Sequence, residues 1–149
     1  MRVAVAADHA GVALKTTLIE AIKSSGHEVL DLGTGSTEPV DYPDYARAIG
    51  RAILENRAER GVLICGSGAG AAVAANKVHG IRAALAHDTY PAHQMVEHDQ
   101  VNVCCLGGRV IGHELAVEIV GAFLRARFTG EERHLRRLAK VVAIEKEGR

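Results

Sequence analysis

Val62-Leu63-Ile64-Cys65-Gly66-Ser67-Gly68-Ala69-Gly70-Ala71-Ala72-Val73-Ala74-Ala75 is the stretch on which the fold turns. Its first four residues form an unbroken apolar run, the pattern of a strand covered on both faces. Glycines at 66, 68 and 70 interrupt that run. Glycine lets backbone amides approach a ligand closely and adopts positive φ without steric cost. The small-residue continuation reads as a helix over Ala69–Val78. A buried strand, a glycine loop and a helix make half of a βαβ unit.

The same alternation extends in both directions. Val3–Ala7, Glu28–Leu32, Arg82–Ala86 and Val103–Leu106 read as further buried strands. Helical periodicity marks Gly11–Ser25, Tyr42–Asn56, Tyr90–His98, Glu114–Arg127 and Glu131–Lys146. In the first of these, Val12, Leu14, Leu18, Ile19 and Ile22 fall mostly on one face, with Lys15, Glu20 and Lys23 largely opposite, and Gly26 is a plausible stop. Strands alternating with helices predict an α/β protein, a three-layer α/β/α sandwich around a five-stranded parallel sheet, Rossmann-like and flavodoxin-like in outline. No repeat or long linker divides the 149 residues, so a single domain over 1–149 is expected. Hydrophobic residues at 48% with only 3% aromatics suit helices packed on buried strands better than an aromatic-rich β sandwich.

Charge narrows the partners. Eighteen Lys and Arg balance eighteen Asp and Glu, so the chain has no general pull on nucleic acid or an anionic membrane. No window approaches eighteen consecutive apolar residues, and Met1-Arg2 runs into a short alternating segment without the layout of an export signal. Three cysteines, two of them adjacent, do not form a disulfide framework. A cytoplasmic setting is the expectation.

In open parallel sheets, ligands bind beyond the carboxyl ends of the strands. Those ends here carry Asp8-His9, Asp31–Gly35, Cys65–Gly70, His87-Asp88 and Gly107–Arg109. The loop Gly66-Ser67-Gly68-Ala69-Gly70 before a helix suits a phosphate or a developing enediolate oxygen. It lacks a full dinucleotide fingerprint and a Walker lysine, and it follows the third strand instead of the first. Cys65 sits where strand meets loop, either as a thiol poised for proton transfer or as a small buried hydrophobe. Asp8 and His9 suit hydroxyl or phosphate binding, and equally a helix cap. Tyr42, in Asp41-Tyr42-Pro43, presents a hydroxyl to a cleft or simply starts a helix. His98-Asp99 ends a helix, where a histidine serves either the helix terminus or acid–base chemistry. Arg133 and Arg137, one turn apart with His134 between them, suit a phosphate dianion or form a solvated basic face to which Arg136 belongs. No metal-ligand spacing occurs, Cys104 and Cys105 read as core, and His27, His79, His87, His93 and His113 join no constellation.

Taken in order, Ala6–Gly11, Asp41–Pro43, Ile64–Gly68 with Ala74–Lys77, Gly80–Ala83, Asn102-Val103, Gly107–Val110 and Arg133–Arg137 resemble the type B ribose-5-phosphate isomerases and the galactose-6-phosphate isomerase subunits. The resemblance is collinear over nearly the whole chain. It implies a metal-free, cofactor-free aldose–ketose isomerase acting through a cis-enediol on a phosphorylated sugar, with ribose 5-phosphate foremost and four- or six-carbon sugar phosphates next. It implies Cys65 as the proton-moving base. Gly66, Ser67, Gly68, Ala69 and Gly70 would stabilise the enediolate, and His98 would open the furanose ring. Asp8 and Tyr42 would lie at the sugar, with His9, Arg109, Arg133, His134 and Arg137 at the phosphate. It also implies a homodimer or tetramer with sites shared between subunits, so that the C-terminal helix serves a neighbour. Asp99 stands where the family usually has asparagine, which removes a donor and adds negative charge near an anionic substrate. A non-catalytic sugar-phosphate-binding or nucleotide-binding module on the same sheet is the competing class.

Overall fold

The computed structural model describes residues 1–148. Strands β1 (Arg2–Ala7), β2 (Glu28–Asp31), β3 (Arg60–Cys65), β4 (Ala83–Leu85) and β5 (Val103–Gly107) form one sheet in the order β2-β1-β3-β5-β4. Every pairing is parallel. The helices are α1 (Val12–Ser24), α2 (Tyr42–Leu54), α3 (Ala69–Ala75), α4 (Thr89–Asp99), α5 (His113–Arg125) and α6 (Glu132–Glu147), and a 3-10 turn at His9–Gly11 leads into α1. The ends of the expected elements shift by at most three residues. Among the described residues no helix is long and apolar enough to cross a membrane.

Period-two alternation builds the two buried faces. Val3, Val5, Ala7, Val62, Ile64, Cys104 and Leu106 point to one side and pack with Leu14, Leu18 and Ile22 of α1, Met95 and Val96 of α4, and Ile119, Val120 and Phe123 of α5. Ala4, Ala6, Leu63, Cys65, Val103 and Cys105 point to the other side, against Ala46, Ile49 and Ala52 of α2 and Ala71 and Ala75 of α3. The second layer sits close because its contacts are small. A β-carbon on Gly61 would lie 2.5 Å from Ile49 Cγ2.

Crossover handedness explains which helix lies where. A parallel β–helix–β connection is right-handed almost without exception. The step from β1 leftward to β2 places α1 on one face, and the steps rightward to β3 and to β4 place α2 and α3 on the other. The return from β4 to β5 reverses direction, so α4 crosses back to the face of α1. That return inserts β5 between β3 and β4, which exchanges the last two strands relative to the flavodoxin order. The chain leaves β1 and β3 in opposite directions, so a crevice opens between their carboxyl ends. Asp8 and Cys65 stand on its two sides.

Lys15 departs from its expected solvent-facing position. It is 4% exposed, and its ammonium lies 2.8 Å from both oxygens of Asp31. The bond ties α1 to the end of β2 beneath the Gly33 turn. The helical pattern placed Lys15 away from α1's apolar stripe, and the loop after β2 covers that side.

Candidate active site

Cys65 ends β3 and is buried, and its Sγ accepts a hydrogen bond from the Gly68 amide at 3.1 Å. Because the sulfur is the acceptor there, its own proton or lone pair is free for another partner. The other two cysteines differ in kind. Burial pushes the Cys104 thiol up to about 12, and burial together with the neighbouring Cys104 and Cys65 sulfurs pushes Cys105 well above the ordinary range, so both remain neutral packing groups.

Gly68 takes φ +80°, which turns its amide back toward the sulfur. A β-carbon there would lie 2.9 Å from the Leu106 carbonyl carbon and would collide with Leu85. Gly68→Ala is therefore expected to cost about 2–3 kcal/mol and most of the activity, measured by urea unfolding and turnover. Ser67 is exposed, and its Oγ accepts the Ala69 amide at 3.3 Å. Among the described residues, the amides of Ser67 and Gly70 meet no acceptor in the chain, so they are available to an oxyanion.

The remaining nearby residues close around this loop. Asp8 is 5% exposed and caps the 3-10 turn through Ala10 N–H at 2.9 Å, and its own amide donates to Ile64 O, which fixes it beside β3. His9 Nδ1 accepts the Val40 amide at 3.2 Å. In the neutral ring the proton is then on Nε2, making that edge a donor. Tyr42 opens α2 and lays its ring over Gly70, where a β-carbon would lie 2.8 Å from Cζ. Arg109 follows β5 and folds over Gly66, its Nη1 being 3.5 Å from a β-carbon built there. Asp8, His9, Tyr42, Cys65, Gly66–Gly70 and Arg109 thus share one end of the sheet.

His98, Asp99, Arg133, His134 and Arg137 are at the other end. α4 begins beyond the carboxyl end of β4 and runs back along the sheet, so Asp99 closes it just before β5 starts. The length of β5 separates this group from Cys65, about 13 Å of strand before loops are counted. His98 Nδ1 accepts a hydrogen bond from Gln94 Nε2–H at 2.8 Å, and its ring stacks on His134 with centroids 4.1 Å apart. His134, the one buried residue of α6, also holds Thr129 Oγ1 through Nδ1 at 2.7 Å. Arg133 and Arg137 are exposed, and Arg133 pairs with Glu131 at 2.9 Å. One chain therefore holds these candidate residues in two groups at opposite ends of the sheet.

Burial, the neighbouring His98 ring, Arg133 and Arg137 hold the His134 imidazole below its ordinary 6.5, with Glu131 opposing. A histidine whose folded value is depressed is held neutral in the native state, while the unfolded chain takes up its proton from about 6.5 downward. Stability is accordingly expected to fall as pH drops below that value. Thermal melting of wild type against His134→Gln between pH 7 and 5 checks this, the variant losing less.

Sequence reasoning assigned no part to His87. The structure places it just past β4, its Nε2 accepting the Gly107 amide at 3.3 Å. Its position directly after a strand, at the mouth of the sheet, was the available signal.

Comparison with known proteins bears on the family and the fold. The family model described as Ribose/Galactose Isomerase matches residues 3–141. Ribose-5-phosphate isomerase B of Escherichia coli is 41% identical over 144 residues, covering 97% of this chain and 96% of that protein. D-erythrulose-4-phosphate isomerase of Pectobacterium atrosepticum is 44% identical over 131 residues, covering 87% of this chain and 86% of that protein. The structure of ribose-5-phosphate isomerase B from Clostridium thermocellum superposes with a TM-score of 0.97 at 42% identity, covering 100% of both chains.

Proposed function

Because the chain belongs to the ribose/galactose isomerase family and is a sugar phosphate isomerase, we propose that it interconverts ribose 5-phosphate and ribulose 5-phosphate, with Cys65 moving the proton. The observation that carries the role of Cys65 is the contact between its sulfur and the Gly68 amide, at the mouth of the sheet and beside the free amides of Ser67 and Gly70.

In the forward direction the Cys65 thiolate takes the proton from C2 of the open-chain aldose. The C2–H electron pair becomes the C1=C2 bond, and the C1 carbonyl oxygen becomes an enediolate. The Ser67 and Gly70 amides donate to that oxygen, and one such donor is worth about 3–4 kcal/mol in a transition state. A proton passes from O2 to O1, the thiol returns its proton to C1, and the C2 carbonyl of the ketose results. Asp8 and Tyr42 meet sugar hydroxyls. His9 Nε2–H and Arg109 take the phosphate, whose binding holds C1 and C2 in place. The chemistry uses the chain's own groups, so a chelator should leave the rate unchanged.

His98 serves ring opening, and Arg133, His134 and Arg137 complete the phosphate site, from a second copy of the chain. Their distance from Cys65 within one chain supports this reading. So does α6, which leaves Leu135, Val141 and Ile144 exposed at 51%, 49% and 67%, apolar surface that a partner would cover. Asp99 would then sit at the neighbour's substrate.

The test is a panel of four-, five- and six-carbon aldose phosphates, with ketose formation followed for wild type and Asp99→Asn. The highest kcat/KM is expected for ribose 5-phosphate, with Asn shifting the preference among the sugars. A higher value for a four-carbon substrate would reassign the protein toward the chemistry named for the Pectobacterium relative.

A further inference from the structure

β4 stops short of the site, and a side chain takes over its last rung. The Ala86 amide donates to Cys105 O at 3.1 Å, the normal pattern of a parallel ladder. Its next rung would carry the Gly107 amide to the Ala86 carbonyl. Gly107 N–H instead meets His87 Nε2 at 3.3 Å. A backbone N–H only donates, so Nε2 is the acceptor, and the neutral ring carries its proton on Nδ1.

The atom held in this way underlies the glycine turn. Gly107 is the register partner of Cys65. A β-carbon on Gly107 would lie 2.7 Å from the Ser67 carbonyl oxygen, and one on Gly68 would lie 3.1 Å from the Gly107 nitrogen. Ser67 and Gly68 therefore rest directly on the Gly107 peptide. The same turn aims the Gly68 amide at Cys65 Sγ.

We infer that His87 is a positioning residue for the isomerisation: its ring nitrogen fixes the Gly107 amide and, through it, the Ser67-Gly68 turn that sets amide donors around the Cys65 sulfur. The inference rests on the reading of Cys65 as the base. It goes beyond that reading by assigning part of the loop's preorganisation to a side chain on a neighbouring strand end that does not touch the substrate.

His87→Leu removes the acceptor, and His87→Gln supplies an amide oxygen at similar reach. For whichever sugar phosphate wild type turns over best, His87→Leu is expected to lower kcat about tenfold, since small misplacements of a catalytic group are costly. KM should stay within about twofold, because His87 itself makes none of the proposed phosphate contacts and Arg109 keeps its own bond to Gly66 O. Amide exchange at Gly107 and Gly68 should quicken in His87→Leu, and His87→Gln should restore most of both kcat and protection. Wild-type kcat in a folded His87→Leu protein overturns the inference. Equal loss in the Leu and Gln variants also overturns it, because the acceptor would not be the cause. Cys65→Ala separates the two claims. Full activity there removes the base and the catalytic meaning of His87 together, whereas its inactivity beside an unimpaired His87→Leu protein overturns the His87 claim alone.

Discussion

Cys65→Ala should lower kcat by about a thousandfold, within the range of a lost general base, while the protein stays folded and still binds sugar phosphate. The side chain is small and lies at the rim of the α2–α3 layer of the core. Removing its sulfur therefore leaves a small void, costing about 1 kcal/mol. The Gly68 amide, itself buried, loses its acceptor, which adds about 1–3 kcal/mol to that cost. Substrate binding draws on the phosphate contacts and should change little. The split between kcat and KM separates this outcome from a folding defect, because a misfolded fraction lowers the apparent enzyme concentration and its substrate binding alike. Mutating Cys104 or Cys105 to alanine should leave kcat near wild type, since both are neutral, fully covered and mid-strand.

The second large effect tests the proposal that each site draws on two copies of the chain. Cys65→Ala and His98→Asn should each be nearly inactive alone, and mixing them after partial denaturation and refolding should restore about a quarter of wild-type activity. The arithmetic follows from a two-fold dimer in which each site takes Cys65 from one chain and His98 from the other. Random pairing makes half the dimers mixed, and each mixed dimer has one site with both residues intact. A chain that assembled its site alone would recover nothing on mixing. The geometry favours recovery, because β5 holds the His98 group and the Cys65 group at opposite ends.

Much of this was legible before any coordinates. Unbroken apolar runs, the pattern of strands covered on both faces, leave few alternatives to a parallel sheet, so Val3–Ala7 and Val62–Cys65 announced themselves as buried strands. The rule that ligands gather at carboxyl strand ends then selected Asp8, Cys65 and Gly66–Gly70 together. Direction was harder to read. Nothing local says that α4 carries His98 away from Cys65, because that follows from the helix's length and its return to β5. Lys15 looked like a solvent-facing lysine because helical periodicity records one helix and not the loop that covers it. His87 was overlooked for a related reason. Its acceptor role exists only because β4 ends one rung early, and the shortening of a strand by a single hydrogen bond leaves no mark on composition or spacing.

The proton's route is the central claim, and isotope exchange reads it directly. Ribose 5-phosphate should be converted in deuterium oxide by wild type, and the ribulose 5-phosphate examined for deuterium at C1. A thiol that holds the abstracted proton long enough to trade it with solvent predicts deuterium at C1, and Cys65→Ala should deposit almost none over the same period. Product formed at the normal rate with no solvent deuterium, or incorporation undiminished in Cys65→Ala, would contradict it.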